Sequence, residues 1–415
     1  MERRGLAKIE RDGLVLPRDV HEREAAAPEP ARGRAGDAER EHGRDRAVER
    51  VAAAPHHVER RVRRRRVVRR HGEVRAAAGW YAPRAGRPSV RPANSVSVAT
   101  VVMRFVYVMD PISRVLPDKD TTFAFQRAAQ ARGHASLHCE PRDVYIEGGE
   151  VGARVRELRV SDAPPHFEWG KTEDVRFADV DAVFIRKDPP FDRAYLYTTL
   201  MLERVRGRTV LVNDPRGLRD ANEKLYTLHF AEHMPKTLVT ANRERIFEFL
   251  RSVSGHGVIK PLDGAGGSGV LRLESADSNA RSIVDILTNE GRRLAMVQEY
   301  VPDVRKGDKR VLLLDGELLG AINRVPRADD VRSNIHVGGV VEPTEVTPKE
   351  REVIAALAPR LRADGLVFVG LDFIGEKLTE VNVTSPTGIQ ELSRHVGRDV
   401  SADVIAFVER QCQSH

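Results

Sequence analysis

Cysteine is almost missing from this chain of 415 residues: only Cys139 and Cys412 occur, far apart, and neither stands in a Cys/His spacing that would hold a metal. That argues against a disulfide framework and for a reducing cytoplasm. Long apolar runs are missing too. No stretch approaches the roughly 20 residues that a membrane helix needs, so no membrane partner is expected. What is present, 41% hydrophobic and 31% charged residues, is the composition of a soluble globular protein long enough for two or three domains.

The net charge of +7 is unevenly spread. Residues 1–102 carry about 24 Lys and Arg against about 14 Asp and Glu, roughly +10, which leaves the remainder near −3. This leader contains "RRVRRRRVVRRHG", has few large apolar residues to bury, and is expected to be disordered. It lacks the apolar core of a signal peptide. One reading is an arginine-rich arm for nucleic acid or an anionic surface. The preferred reading is translated upstream sequence, with the natural start at Met103 and no nucleic-acid partner.

From Met103 the pattern becomes regular. "MRFVYVMDPIS" predicts a buried strand stopping at Asp110-Pro111, "TTFAFQRAAQARGH" a helix ended by Gly133, and "VDAVFIRKDPP" a further strand. Strands alternating with helices predict a parallel α/β domain over residues 103–220, with ligand loops at the strand ends. Residues 221–300 read as a small α+β unit that opens with a helix bearing Lys224, capped by Asp220 or Asn222, and holds a glycine-rich hairpin tip. Residues 301–415 read as two strand pairs with a helix between them.

The densest chemistry lies in "VGLDFIGEKLTEVNVTSPTG", residues 369–388. A three-residue loop Gly375-Glu376-Lys377 would place Asp372 opposite Glu380 and Gly370 opposite Asn382. The three polar groups then share one face, and Leu371, Phe373, Thr379, Val381 and Val383 share the other. Directly opposed carboxylates repel unless a cation lies between them. With the Asn382 carbonyl they form a hard, oxygen-only donor set that suits Mg²⁺ rather than zinc.

"KPLDGAGGSGV", Lys260 to Val270, is not a Walker A loop, because its lysine precedes the glycines. Its bareness, at Gly264, Gly266 and Gly267 above all, lets backbone N–H groups approach phosphate oxygens, with Lys260 and Lys224 as the cations. "WGKT" at Trp169–Thr172 is rejected as a phosphate loop, since a Pro-Pro-His-Phe run precedes it. "NRVPRADDVRSNIHVGG", Asn323 to Gly339, reads as a lid carrying Arg324 and Arg332, while His336 has no ligand spacing.

Taken in order, "MDPI", "RKDPPFD", "LRDANEKL", "KPLDGAGGSGV", "GDKRVLLLDGE", "VFVGLDFIG" and "LTEVNVTSPTG" resemble the prokaryotic-type glutathione synthetases of the ATP-grasp superfamily, over nearly all of residues 103–410. The resemblance implies an ATP-grasp fold of two α+β subdomains after the N-terminal domain. It also implies an enzyme that joins γ-glutamylcysteine to glycine with ATP and Mg²⁺ or Mn²⁺, through an acyl-phosphate. By the same resemblance Lys224 and Lys260 bind the nucleotide, Gln298, Glu299, Tyr300 and Val301 form the hinge at adenine, and Asp308 reaches the ribose. Arg310 meets the transferring phosphate, Arg324 or Arg332 holds an oxyanion or a carboxylate, and Asp372, Glu380 and Asn382 take the metals. It implies a homo-oligomer, a tetramer, in the cytoplasm.

Two departures are visible: Ala328-Asp329-Asp330 stands where the family lid carries a glycine pair, and Gly388 stands where a bulkier residue can occur. Two other readings stay open, a ligase with a different amine acceptor and a non-catalytic nucleotide-binding scaffold.

Overall fold

The computed structural model describes residues 101–414 apart from 265 and 327–339. Expectations for the leader, for Arg332, His336 and the Ala328-Asp329-Asp330 segment therefore lie outside the described residues.

The first sheet begins with β1 (Arg104–Met109), whose residues after Arg104 are all buried, as a central parallel strand requires. Helix α1 (Thr121–Ala131) is capped by the Asp120 side chain, which accepts from the Phe123 N–H. There follow β2 (Ala135–Cys139), β3 (Val144–Glu147), β4 (Glu150–Val160), β5 (Phe167–Arg176), β6 (Ala182–Arg186), α2 (Arg193–Leu202), β7 (Val210–Val212) and α3 (Pro215–Asp220). Strands run in the order β3-β4-β2-β1-β6-β7, with β5 paired to β4. Pairing is parallel across β2-β1-β6-β7 and antiparallel beyond β2, so the expected parallel domain carries an antiparallel extension. Trp169–Thr172 falls inside β5, in ladder contact with β4.

A second sheet is built from β8 (Thr237–Thr240), α4 (Arg243–Ser252), β9 (His256–Pro261), β10 (Leu271–Glu274), α5 (Ala280–Thr288) and β11 (Ala295–Glu299), in strand order β10-β9-β11-β8. The glycine-rich segment joins β9 to β10, an antiparallel pair. A third sheet, β14-β13-β12-β15-β16, is built from β12 (Asp308–Leu314), β13 (Glu317–Val325), β14 (Val340–Pro343), β15 (Phe368–Ile374) and β16 (Lys377–Asn382). Between β14 and β15 lies α6 (Pro348–Ala363), opened by a Thr347/Glu350 capping box with proline in its first turn. Helices α7 (Ile389–Val396) and α8 (Ser401–Ser414) close the chain.

The first and third sheets share their apolar interior: Val106 and Val183 belong to the same buried cluster as Val311, Leu371 and Val381. The second sheet has a separate small core of Ile246, Leu250, Ile259, Leu273, Val284 and Val297.

Two expectations of local structure need correction, besides that for Arg324, which was read as part of a lid but lies buried on β13. Lys224 does not sit on a helix. Helix α3 ends at Asp220, and the Asn222 carboxamide then accepts from the N–H groups of Lys224 and Leu225, holding a turn before a 3₁₀ segment at Tyr226–His233. The second concerns the β15–β16 hairpin, whose loop has two residues, Gly375 and Glu376, both left-handed (φ 54° and 62°) as a type I′ turn demands. A bulge follows, so that Phe373 pairs with Leu378 while Asp372 still pairs with Glu380 and Gly370 with Asn382. Thr379 is the extra residue. Leu378 takes the core position expected for it, and Thr379 instead donates its hydroxyl to the Asp372 carbonyl at 3.1 Å.

Candidate active site

Residues from all three sheets line a single cavity of about 630 Å³. Its charged centre stands on the third sheet. Arg310 on β12 is the cross-strand partner of Asp372 on β15, and the guanidinium grips the carboxylate with two bonds, Nε to Oδ1 at 2.5 Å and Nη2 to Oδ2 at 2.9 Å. Its third nitrogen, Nη1, donates to the Thr387 carbonyl at 3.0 Å. Arg324 on β13 reaches the same carboxylate at 3.0 Å and also donates to Asp308 Oδ2 at 2.6 Å. The Asn382 amide donates to Asp372 Oδ2 at 3.1 Å. Burial alone would raise the Asp372 carboxyl, but the two guanidiniums outweigh it and hold the group well below the usual carboxylate range. For Asp308 burial wins, and its carboxyl is raised despite Arg324.

The opposed acids thus have protein cations beside them: Asp372 has Arg310 and Arg324, and Glu380 has Lys224, whose Nζ lies 3.4 Å from Oε1. Lys224 Nζ also donates to the Gly264 carbonyl at 2.6 Å, tying the glycine-rich segment to the acidic hairpin. Lys260, at the end of β9, is 7% exposed and makes no ion pair among the described residues. Burial pulls its ammonium down from the ordinary lysine value, with Glu380 opposing. Such a cation gains from an anionic ligand.

Gly266 and Gly267 reach the cavity with φ of 65° and 77°, a region that only glycine enters cheaply. At Gly264 a side chain would meet Pro261 Cγ at 2.8 Å and the Ser268 carbonyl at 2.9 Å. On the opposite strand, the Glu299 N–H is taken by the Lys236 carbonyl and the Tyr300 N–H by the His256 carbonyl, while Gln298 donates to Thr237. Tyr300 lies under the Arg272 guanidinium at 4.8 Å, and both line the cavity with Gln298, Glu299 and Val301.

The structure brings the expected residues together except Arg332, which is outside the described part. It adds residues not singled out from the sequence. Glu223, beside Lys224, accepts from the Thr384 hydroxyl, and burial with Glu380 nearby raises its carboxyl to about 7. Asp110, Arg114, Lys119, Asp120 and Asp188 line the end of the cavity formed by the first sheet. Burial raises Asp120 to about 6, against the pull of the Phe123 N–H and Arg186. The signal for Asp110 and Asp188 lay in "MDPI" and "RKDPP", acids one and two residues after strands that turn out to be neighbours.

A glycine-rich hairpin facing a sheet of paired acids and arginines across one cavity is the architecture of the ATP-grasp ligases. Among solved structures, D-cycloserine synthetase DcsG has this fold, with a TM-score of 0.52 at 19% identity, covering 74% of this chain and 99% of its own. The family model described as prokaryotic glutathione synthetase, N-terminal domain, matches residues 103–219, and that of the prokaryotic glutathione synthetase ATP-grasp domain matches residues 223–397. The glutathione synthetase of Mesorhizobium japonicum is 43% identical over 301 residues, 72% of this chain and 96% of that protein. That of Synechocystis sp. is 42% identical over 320 residues, 74% of this chain and all of that protein. The chain belongs to the prokaryotic glutathione synthetase family, and is an ATP-dependent ligase of glutathione biosynthesis.

Proposed function

We propose that the chain joins the cysteinyl carboxylate of γ-glutamylcysteine to the amine of glycine, converting ATP to ADP and phosphate. The observation that carries this reading is one cavity holding Lys260, Arg310, Arg324, Asp372 and Glu380 opposite the glycine-rich hairpin.

A carboxylate is a poor electrophile, so its oxygen first attacks the γ-phosphorus of ATP, the bond to ADP breaks, and an acyl-phosphate forms. Glycine nitrogen then attacks the acyl carbon, phosphate leaves with the C–O electrons, and the nitrogen gives up its proton. Lys224 and Lys260 oppose the phosphate charge, and the bare backbone at Gly266 and Gly267 lets N–H groups close on the same oxygens. Arg310 has two nitrogens committed to Asp372 and is thereby fixed in place, so its charge meets the transferring phosphoryl group without a reorganisation cost. Arg324, fixed by Asp308 and Asp372, serves the oxyanion at the acyl carbon. Val301, next to the engaged Glu299 and Tyr300 amides, marks the adenine edge, and Asp308 lies on the ribose side.

The donor set fits a hard divalent ion. Asp372, Glu380 and the Asn382 carbonyl supply oxygen only, and an ion there would displace some of the contacts by which Arg310, Arg324 and the Asn382 amide hold Asp372 and Lys224 holds Glu380. Among the described residues no group of three or more His, Cys, Asp or Glu that could hold a metal ion is present, so the Asn382 carbonyl would be the third donor. When bound there, Mg²⁺ or Mn²⁺ neutralises phosphate charge. No helix among the described residues is long and apolar enough to cross a membrane. The same reading includes a cytoplasmic homo-oligomer, a tetramer.

The test is ADP release by the purified chain with Mg-ATP, γ-glutamylcysteine and glycine, leaving out one component at a time, with mass spectrometry of the product. Release that needs all three and yields glutathione is expected. Release with the dipeptide but without preference for glycine would keep the acyl-phosphate and reopen the amine. No release under any combination would leave a nucleotide-binding scaffold.

A further inference from the structure

Asn213 directly follows β7, at the edge of the first sheet, and its side chain is buried without lining the cavity. Its partners lie 155 and 170 residues further along, in the third sheet. Nδ2 donates to the Phe368 carbonyl at 2.9 Å and to the Val383 carbonyl at 2.7 Å, while Oδ1 accepts the Phe368 N–H at 2.7 Å. Two carbonyls and one N–H leave a single orientation of the carboxamide that satisfies all three.

Phe368 opens β15, and Val383 is the residue after β16. The registered pairs of that hairpin end at Gly370 with Asn382, so Asn213 ties the two strands together at the end away from the turn, where the ladder has run out. It does so from another sheet. The next residue strengthens the junction: the Asp214 N–H donates to the Gly365 carbonyl at 3.0 Å, and a side chain at Gly365 would meet Asp214 Cβ at 2.5 Å.

The chain on both sides of Val383 belongs to the site. Before it stands Asn382, whose amide donates to Asp372, and after it Thr384 to Thr387 line the cavity. Further on, the Pro386 carbonyl accepts from Arg186 and the Thr387 carbonyl from Arg310. Asn213 sets where this wall begins. Without it three buried backbone groups lose their partner, and the strand ends are free to part.

We propose that Asn213 is a positioning residue for phosphoryl transfer: by fixing Val383 against Phe368 it sets Asn382 and the wall at Thr384–Thr387 relative to Asp372 and Arg310. This rests on the ligase reading given above. Its effect falls on the chemical step more than on nucleotide binding, because the hinge at Gln298 and Glu299 and the glycine-rich segment belong to the second sheet, which Asn213 does not touch.

Two neighbouring substitutions test this. Asn213→Ala removes all three bonds, whereas Val212→Ala removes buried apolar groups from the same junction and leaves the bonds in place. Both should lower the unfolding midpoint. Assayed equally far below their midpoints, only Asn213→Ala should lower kcat for glutathione formation, by about 100-fold, with KM for ATP little changed. Asn213→Asp keeps the shape and the acceptor for the Phe368 N–H, and once protonated it regains one donor. It should lose less, and it carries the same test if the alanine variant does not fold. Hydrogen exchange of the free chain, read by mass spectrometry, should show residues 368–384 exchanging faster in Asn213→Ala than in Val212→Ala. Equal losses of kcat in the two variants, or a loss carried by KM for ATP, would overturn the proposal. A wild-type protein that makes no glutathione would overturn the ligase reading and the role in the reaction with it; equal exchange over 368–384 would overturn the contact itself in either case.

Discussion

The two main walls of the cavity are built by different means. The third sheet presents side chains already locked against each other, with Arg310 and Arg324 on Asp372, on strands that share their core with the first sheet. The glycine-rich wall presents backbone, on a sheet with its own small core. A rigid charge network suits the group that changes during reaction, because its dipoles need no rearrangement. A bare backbone suits the groups that are only held, because approach matters more there than charge. The lysines stand between these modes: Lys224 joins the Gly264 carbonyl to Glu380 across the gap.

Substitution in the charge wall should have the largest effect. Arg310→Met removes both bonds to Asp372 and leaves that carboxylate with Arg324 as its only cation, beside the Asn382 amide. Glutathione formation at saturating substrates should fall by about 10³-fold, and stability by about 3 kcal/mol, read by product assay and denaturant unfolding. Activity within tenfold of wild type would mean that the network is only structural.

The backbone wall should answer more mildly and more selectively. Gly267 has φ of 77°, where a branched residue costs about 1–2 kcal/mol. Gly267→Val should raise KM for ATP about tenfold and lower the unfolding free energy by no more than that local cost, since the segment lies outside the small core of its sheet. Parallel losses of ATP use and of stability would remove the distinction between the two walls.

A change far from both walls sharpens the comparison. Glu409 on α8 pairs with Arg132 and with buried His134, and the Arg132 bond, with His134 adding, holds its carboxyl below the ordinary glutamate value. A depressed carboxyl contributes stability above its unfolded pKa and loses it as pH falls through the folded one. Glu409→Gln should therefore cost about 1 kcal/mol at pH 7 and progressively less in acid, with kinetic constants unaltered; thermal unfolding against pH reads this. A cost that grows as pH falls would reverse the assigned sign.

Much of the third sheet could be read before folding. The pairing of Asp372 with Glu380 and of Gly370 with Asn382 follows from alternation, and it survives although the loop is one residue shorter than expected, because the bulge at Thr379 restores the offset. Two errors cancelled at the polar residues, and the mismatch shows only nearer the turn, where Leu378 replaces Thr379 in the core. Lys224 was placed in the right company but on the wrong element. Local pattern could not show that Asn222 would hold a turn instead of starting a helix. The crevice at Asp110 and Asp188 was out of reach for a different reason: their closeness depends on β1 and β6 being neighbours, which is a matter of strand order.

By itself, then, the sequence determined what is periodic or compositional: the buried strands, the capped helices, the bare segment at Gly266 and Gly267, and the acids that share a strand face. These follow from side-chain alternation and backbone freedom over a few residues. Only the tertiary structure decided which charges meet. Arg310 and Asp372 are 62 residues apart, and Lys224 and Gly264 are 40 apart. Whether a buried charge is neutralised by a guanidinium, a lysine or an ion depends on sheet order and burial, and neither is a property of any local stretch.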